Sequence, residues 1–402
     1  MYNFKAGQMK IYLIIFALLL CAQNIVLADP IKLGADKLFE TPYFEWIYGK
    51  RVGLITNHTS VNSKSKSTAD LLKNHPEVEL IALFAPEHGL RGKTPAGEKF
   101  SGFDNIHSLY GTNLSPTQEM LKQVDVLIYD LQDVGARFYT YISTMYLSME
   151  AAAQNNIPFI VLDRPNPING MRVEGPVLSI EKKSFVGIHP LPIRYGMTPG
   201  ELAHLFNQEG KLGCNLKVIP LSGWNRSQWY DQTGLQWVPP SPNILTLTTA
   251  NLYPGFCLIE GTNLSEGRGT TTPFQFVGAP WIKSQQLAKT LNQLNLPGVQ
   301  FHPQTHIPSS SKYQDKLCQG LEIEIQNRDQ FRPLVALLHV LSTISKLHPE
   351  KLTFNNLLFD RLAGNSWIRE ALEQGHSVSK ILNRWKKQLQ TFKTNRKKYL
   401  LY

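Results

Sequence analysis

The sequence predicts an α/β protein, with a parallel-sheet domain over residues 29–275 and a smaller C-terminal α+β auxiliary domain over residues 276–402. Three observations predict it. Four continuous apolar runs punctuate the first half, helical patterns separate them, and every run ends in a cluster of polar side chains. Continuous runs suit strands covered on both faces, and strand–helix alternation is the signature of a parallel sheet.

The N-terminus stands apart from this pattern. Lys5 and Lys10 precede the apolar run from Ile11 to Ala22, and the small residues Val26 and Ala28 lie just before Asp29. This arrangement predicts a signal peptide over residues 1–28, cleaved after Ala28. The run is too short to span a bilayer comfortably. Bulky Leu20 argues against acylation of Cys21. An exported protein, periplasmic or secreted, without stable membrane insertion after cleavage, is the expectation.

The first strand is "RVGLITN" from Arg51, and "STADLLKNH" follows as a helix with Ser67 and Thr68 as caps. "ELIALFAPE" from Glu79 is the second strand, and "SPTQEMLKQ" is a helix opened by Ser115 before Pro116. "VDVLIYDLQD" from Val124 is the third strand. "ARFYTYISTMYLSMEAAAQNN" continues as about five helical turns, and "IPFIVLDRPN" from Ile157 is the fourth strand. The four tips carry Asn57 and His58; Glu87 and His88; Asp130, Gln132 and Asp133; and Asp163, Arg164 and Asn166. Ligands of open parallel sheets bind beyond the carboxyl ends of the strands, so four polar tips on one rim form an active-site floor.

After Pro176 the chain is rich in loops. "TPGELAHLFNQEG" is a capped helix stopped by Gly210, and "NLKVIPLSGW" contains a further strand. "WVPPSPN" and "EGTNLSEGRGTTTPF" are dense in turn formers and read as surface loops able to carry function. "LEIEIQNR" alternates apolar and polar residues like an antiparallel strand.

Composition narrows the function classes. An apolar fraction of 42% and a charged fraction of 18% suit a globular protein. Signal cleavage removes Lys5 and Lys10 and no acid, taking the net charge from +10 to +8. Much of the excess lies in "RWKKQLQTFKTNRKKYLLY", which in an exported protein is either a solvated helix face or a contact for anionic envelope polymers and lipid headgroups. No nucleic-acid partner is expected. Cys214, Cys257 and Cys318 are widely spaced and suggest neither a disulfide framework nor a zinc site. GxGxxG does not follow the first strand, and GxxxxGK[ST], HExxH and GxSxG are absent. His58, His88 and His107 share no tight ligand spacing, so neither a metal nor a cofactor is expected. Carboxylates flanked by cations and amides remain, a combination suited to glycoside hydrolysis.

"LFAPEHGLRG", "SLYG", "DLQDVGARFYTYISTM", "DRPNPINGMRVEGP", "PLPIRYGMTPGELA", "WVPPSPN" and "YPGFCLIEGTNLSEGRGTTTPF" carry a resemblance. From about Gly49 to the C-terminus, including "FHPQTHIPSSSKYQDKLCQG", the chain resembles the bacterial exo-β-N-acetylmuramidase family, formerly a domain of unknown function. One local departure is "PNILT", where the family pattern has "PNIPT". The resemblance implies a Rossmann-like catalytic domain with a smaller auxiliary domain. It also implies release of N-acetylmuramic acid from the non-reducing ends of peptidoglycan fragments.

Chemistry then orders the candidates. Glu87 is the first choice for catalytic acid, because an apolar strand end favours the protonated form of a carboxyl. Asp133 is preferred to Asp130 as the second carboxylate, because Asp130 sits nearer the strand, where it would cap the "QDVG" turn. Glu260 and Glu266 are in reserve, with Glu266 also counted among the substrate-binding candidates. Muramic acid carries a lactyl carboxylate, and a guanidinium can hold it with two hydrogen bonds. Arg91, Arg137, Arg164, Arg194 and Arg268 are candidates; Arg268 stands out between glycines that permit close backbone approach. Tyr139, Tyr141, Trp224 and Trp237 are candidates for stacking on sugar faces. Asn57, His58, His88, Asp163, Asn166 and Asn243 complete the predicted substrate contacts. A non-catalytic glycan-binding protein would use the same cleft without an acid–base pair.

Overall fold

The computed structural model describes residues 30–92 and 105–402, and the expected signal peptide lies outside them. Its strands are β1 (Arg51–Thr56), β2 (Glu79–Ala85), β3 (Ile106–Ser108), β4 (Val126–Asp130), β5 (Phe159–Leu162), β6 (Glu174–Val177), β7 (Pro192–Arg194), β8 (Leu216–Ile219), β9 (Phe276–Ala279), β10 (Val299–His306) and β11 (Cys318–Ile325). The helices are α1 (Gly34–Lys37), α2 (Thr68–Lys73), α3 (Gln118–Leu121), α4 (Tyr141–Gln154), α5 (Pro199–Glu209), α6 (Leu247–Phe256), α7 (Ser284–Asn292), α8 (Pro333–Leu347), α9 (Asn356–Ala363), α10 (Trp367–Glu373) and α11 (Val378–Asn395). None of them is long and apolar enough to cross a membrane.

Six strands form a parallel sheet in the order β3-β2-β1-β4-β5-β8. Chain direction across the sheet reverses between β1 and β4, the place where such sheets open a crevice. The four predicted runs are β1, β2, β4 and β5. Their unbroken apolar character follows from alternation between two covered faces. Val52, Leu54, Leu83, Val126, Ile128 and Ile160 enter one core cluster. Ile55, Phe84, Leu127, Tyr129, Phe159 and Val161 point the other way into a larger one. Successive strand side chains face opposite sides, so a strand buried on both must be apolar throughout.

Local signals place the helices, with two corrections. Ser67 caps α2 by accepting from the Asp70 amide at 3.4 Å, and Thr198 and Glu201 form a capping box on α5. The cap of α3 is Thr117, which accepts from the Met120 amide at 3.3 Å, rather than Ser115. The long helix is also shorter than predicted. Ala136 bridges to Arg194 and the Arg137 amide donates to the Ile193 carbonyl at 2.8 Å, which holds this stretch against β7 and delays α4 until Tyr141.

Beyond α6 the second sheet is antiparallel, in the order β10-β11-β9. Its inward residues Phe301, Leu321 and Ile323 join the larger core cluster, which therefore runs without interruption from the parallel sheet into the C-terminal helices. In the basic tail, Arg396 is buried on the carbonyls of Gly170, Tyr195 and Gly196, while Lys397 and Lys398 are exposed.

Candidate active site

At the carboxyl end of β2 the chain turns sharply. The Gly89 amide donates to the Pro86 carbonyl at 3.0 Å, and His88 and Gly89 both take left-handed backbone angles, with φ of 71° and 69°. A histidine rarely adopts this conformation, and strain of this kind concentrates at functional sites. The turn presents Glu87, half-buried, at the N-terminus of α4, where the Thr140 hydroxyl donates to its Oε2 at 2.7 Å.

Glu87 and Thr140 line a cavity of about 170 Å³ with His88, Tyr139, Asn243, Glu260 and Arg268, closed in by Phe138, Ile244 and Phe274. Its wall from the "WVPPSPN" loop is pinned to the sheet. The Pro240 carbonyl accepts from the Tyr139 and Tyr141 hydroxyls at 3.0 and 2.7 Å, and the Pro239 carbonyl lies 2.7 Å from His58 Nε2. The Tyr141 hydroxyl also accepts from Asn57 Nδ2 at 2.8 Å, so Asn57 and His58 brace the wall from below. The leucine of "PNILT", Leu245, is exposed, and its carbonyl accepts from Trp237 Nε1 at 3.2 Å, away from the cavity.

The opposite wall is the Glu260–Arg268 pair, backed by Glu266 and Lys312. Arg268 donates from Nη2 and Nε to Glu260 Oε1 at 2.6 and 3.2 Å, and its Nε lies 3.4 Å from Glu266 Oε1. Lys312 Nζ donates to Glu266 Oε2 at 3.0 Å and to the Ile259 and Leu264 carbonyls at 2.9 Å each. Gly267 and Gly269 have φ of 80° and 78°; a Cβ on Gly269 would lie 2.5 Å from the Ser310 carbonyl oxygen. Only glycine lets the loop pass that close and still aim Arg268 inward. Burial raises the Glu260 carboxyl above the ordinary range, against the lowering effect of Arg268. Burial lowers the His88 imidazole, with Glu87 pulling the other way and Arg268 and His58 adding to the fall. The Tyr110 phenol is pushed up by burial and by the Glu87 carboxylate beside it.

The aspartates of the strand tips lie elsewhere. Asp130 is fully buried, pairs with Arg164 Nε and Nη2, and accepts from the Thr68 hydroxyl at 2.6 Å. Asp133, not Asp130, caps the "QDVG" turn: its Oδ2 accepts from the Gly135 amide at 2.8 Å and from the Tyr195 hydroxyl. Burial raises Asp133 to about 6. Asp163 accepts from Thr198, the Gly200 amide and Tyr402, the last at 2.6 Å. None of the three lines the cavity.

Most of the arginines are also committed to structure. Arg137 donates to the carbonyls of Pro176, Leu191 and Leu362, tying the first half of the chain to α9. Burial lowers it to about 9. Arg194 donates to the Ile168 carbonyl and lies 5.7 Å over the Trp229 ring. Asn166 holds the Met197 carbonyl and Ile168 amide. Arg91 is exposed on the surface after the Glu87 turn. Trp224 packs on Tyr402 and Trp237 on Tyr230, both outside the cavity.

The structure therefore joins Glu87, His88, Tyr139, Asn243 and Arg268 to the reserve carboxylate Glu260, with Glu266 directly behind Arg268. Thr140 and Lys312 were not among the sequence candidates. Thr140 was hidden inside the stretch predicted as helix and becomes the residue before α4 only because the helix starts at Tyr141; Lys312, 46 residues from Glu266, carried no signal. A larger groove of about 570 Å³ lies near Leu216, at the amino end of β8 and away from the strand tips. Among the described residues, no group of three or more His, Cys, Asp or Glu side chains is arranged to hold a metal ion.

Two family profiles match the chain: "Exo-beta-N-acetylmuramidase NamZ, N-terminal" over residues 52–248, and its C-terminal counterpart over residues 251–402. The chain is 48% identical over 379 residues to the peptidoglycan beta-N-acetylmuramidase NamZ of Bacillus subtilis (strain 168), covering 92% of this chain and 91% of that protein. Two crystal structures of DUF1343 family proteins from Bacteroides fragilis NCTC 9343 are similar. One has a TM-score of 0.88 at 41% identity, covering 92% of this chain and 99% of that one. The other has a TM-score of 0.75 at 34% identity, covering 93% and 99%.

Proposed function

The chain belongs to the exo-β-N-acetylmuramidase NamZ family, and on that premise we propose that it releases N-acetylmuramic acid from the non-reducing ends of peptidoglycan fragments. The observation that carries the assignment of roles is the meeting of Glu87, on its strained turn, with Arg268 in one small cavity. Glu87 is the general acid that protonates the departing glycosidic oxygen, and the Thr140 hydroxyl fixes its rotamer. Arg268 reads the lactyl carboxylate, and Asn243 and His88 contact the sugar's polar substituents. At about 170 Å³ the cavity is smaller than the usual range of about 300–1,000 Å³, which suits one terminal sugar better than a continuous strand.

Incubation with a disaccharide bearing a non-reducing N-acetylmuramic acid tests the proposal. Free N-acetylmuramic acid is expected, and a matched N-acetylglucosamine-terminated disaccharide should remain largely intact. Equal rates on both would mean that the lactyl group is not read. Binding without release would favour a glycan-binding protein.

The substrate lies outside the cytoplasmic membrane, which supports export of this chain. Lys5, Lys10, the short apolar run and "VLA" before Asp29 support cleavage after Ala28.

A further inference from the structure

Arg268 is already engaged by a carboxylate within the protein. It meets Glu260 in the same cavity that is proposed to take the substrate's carboxylate. We infer that Glu260 is a built-in stand-in for the lactyl carboxylate, occupying Arg268 until the sugar acid displaces it and then taking up a proton. This inference rests on the reading of Arg268 given above.

The geometry favours exchange. Both Arg268 bonds end on one oxygen, Glu260 Oε1, so the guanidinium fork is not matched by two carboxylate oxygens. A ligand carboxylate presenting both oxygens makes the stronger bidentate pair. Glu260 can also move without releasing the arginine. Arg268 is held from behind by Glu266, which is 2% exposed, and lies 5.2 Å over the Phe274 ring. Glu266 is fixed in turn by Lys312, which is tied to two backbone carbonyls. The anchor stays in place while the stand-in turns away.

Charge balance supplies the proton. Two carboxylates, Glu260 and Glu266, face two cations, Arg268 and Lys312. A third carboxylate would leave the cluster with an uncompensated negative charge, and carboxylates that share a site drive one of their number to protonate. The other titratable groups around Glu260 are Tyr253 and Cys257, whose pKa values burial raises so that they remain neutral, and Glu87 and His88 across the cavity. Glu260 is the member already raised by burial, and once Arg268 is taken its charge has lost its main support. The balanced step joins one proton from solvent to the Glu260 carboxylate as the ionised sugar acid pairs with Arg268.

Calorimetric titration with N-acetylmuramic acid in two buffers of different ionisation enthalpy measures the protons taken up. At pH 7 the wild-type protein should show net uptake that N-acetylglucosamine does not cause, and Glu260→Gln should abolish it. Without any variant, the wild-type Kd for N-acetylmuramic acid should rise towards tenfold per pH unit on the alkaline side, while the affinity for N-acetylglucosamine stays nearly flat. A buffer-independent heat with a flat Kd would overturn the inference, as would unchanged uptake in Glu260→Gln, which would move the proton to Glu87 or His88. Failure of the functional reading looks different: the wild-type protein would then neither release N-acetylmuramic acid from the disaccharide nor prefer it to N-acetylglucosamine.

Discussion

Replacing Glu87 with glutamine isolates proton delivery from everything else this residue does. The Thr140 hydroxyl donates to Oε2 at 2.7 Å, and a glutamine carbonyl oxygen can accept the same bond. The side chain is half-buried at a turn whose shape comes from His88 and Gly89, so the near-isosteric change should leave that turn intact. A retained neutral hydrogen bond keeps the stability cost within about 1 kcal/mol. Turnover should behave differently, because an amide cannot protonate a departing glycosidic oxygen. Positioned acid–base catalysis contributes about 10²–10⁴-fold, equivalent to roughly 2.7–5.4 kcal/mol of barrier. The assay follows release of N-acetylmuramic acid alongside equilibrium binding and a thermal melt. Glu87→Gln is expected to lose at least a hundredfold in kcat with its melt and sugar binding nearly unchanged. A lowered melting temperature with near-normal turnover in the surviving folded protein would make Glu87 a structural acceptor and refute the assignment.

Other consequences follow from the same geometry. Asp130→Asn strands the buried Arg164 charge and should cost about 3–5 kcal/mol in urea unfolding; a large kcat loss at unchanged stability would instead place Asp130 in the chemistry. Asp133 has a folded pKa raised from 3.8 to about 6, so its contribution to stability is present below about pH 4 and lost as pH rises through 6. Relative to Asp133→Asn, the wild-type protein should lose on the order of 3 kcal/mol of unfolding free energy across that window, and parallel stability curves for the two proteins would contradict it. Mass spectrometry of the exported protein should find Asp29 at the N-terminus; retention of residues 1–28, or a lipid on Cys21, would exclude the proposed processing.

The sequence by itself determined the parallel sheet, because β1, β2, β4 and β5 are buried on both faces and so must be apolar throughout. Helix starts were legible where one side chain caps them, as at Ser67 and Thr198, and misread at Tyr141, where pairing of the preceding residues with β7 overrides helical propensity. The place of Glu87 on the wall of a cavity was legible for a local reason: an acid beside histidine and glycine at the end of a core strand needs an open polar space rather than the apolar core. The arginines and aspartates were not separable in this way. Asp130, Asp133 and Glu87 all follow apolar strands, and each reads as an acid on the rim. Only the fold pairs Asp130 with Arg164, gives Asp133 to Tyr195 and Gly135, and brings Glu260 and Arg268 across to Glu87. Periodicity reports which face of an element is buried, but the partner of a buried charge is set by contacts between distant segments. Lys312 shows this most plainly, since its partner Glu266 lies 46 residues away and tertiary packing alone brings the two together.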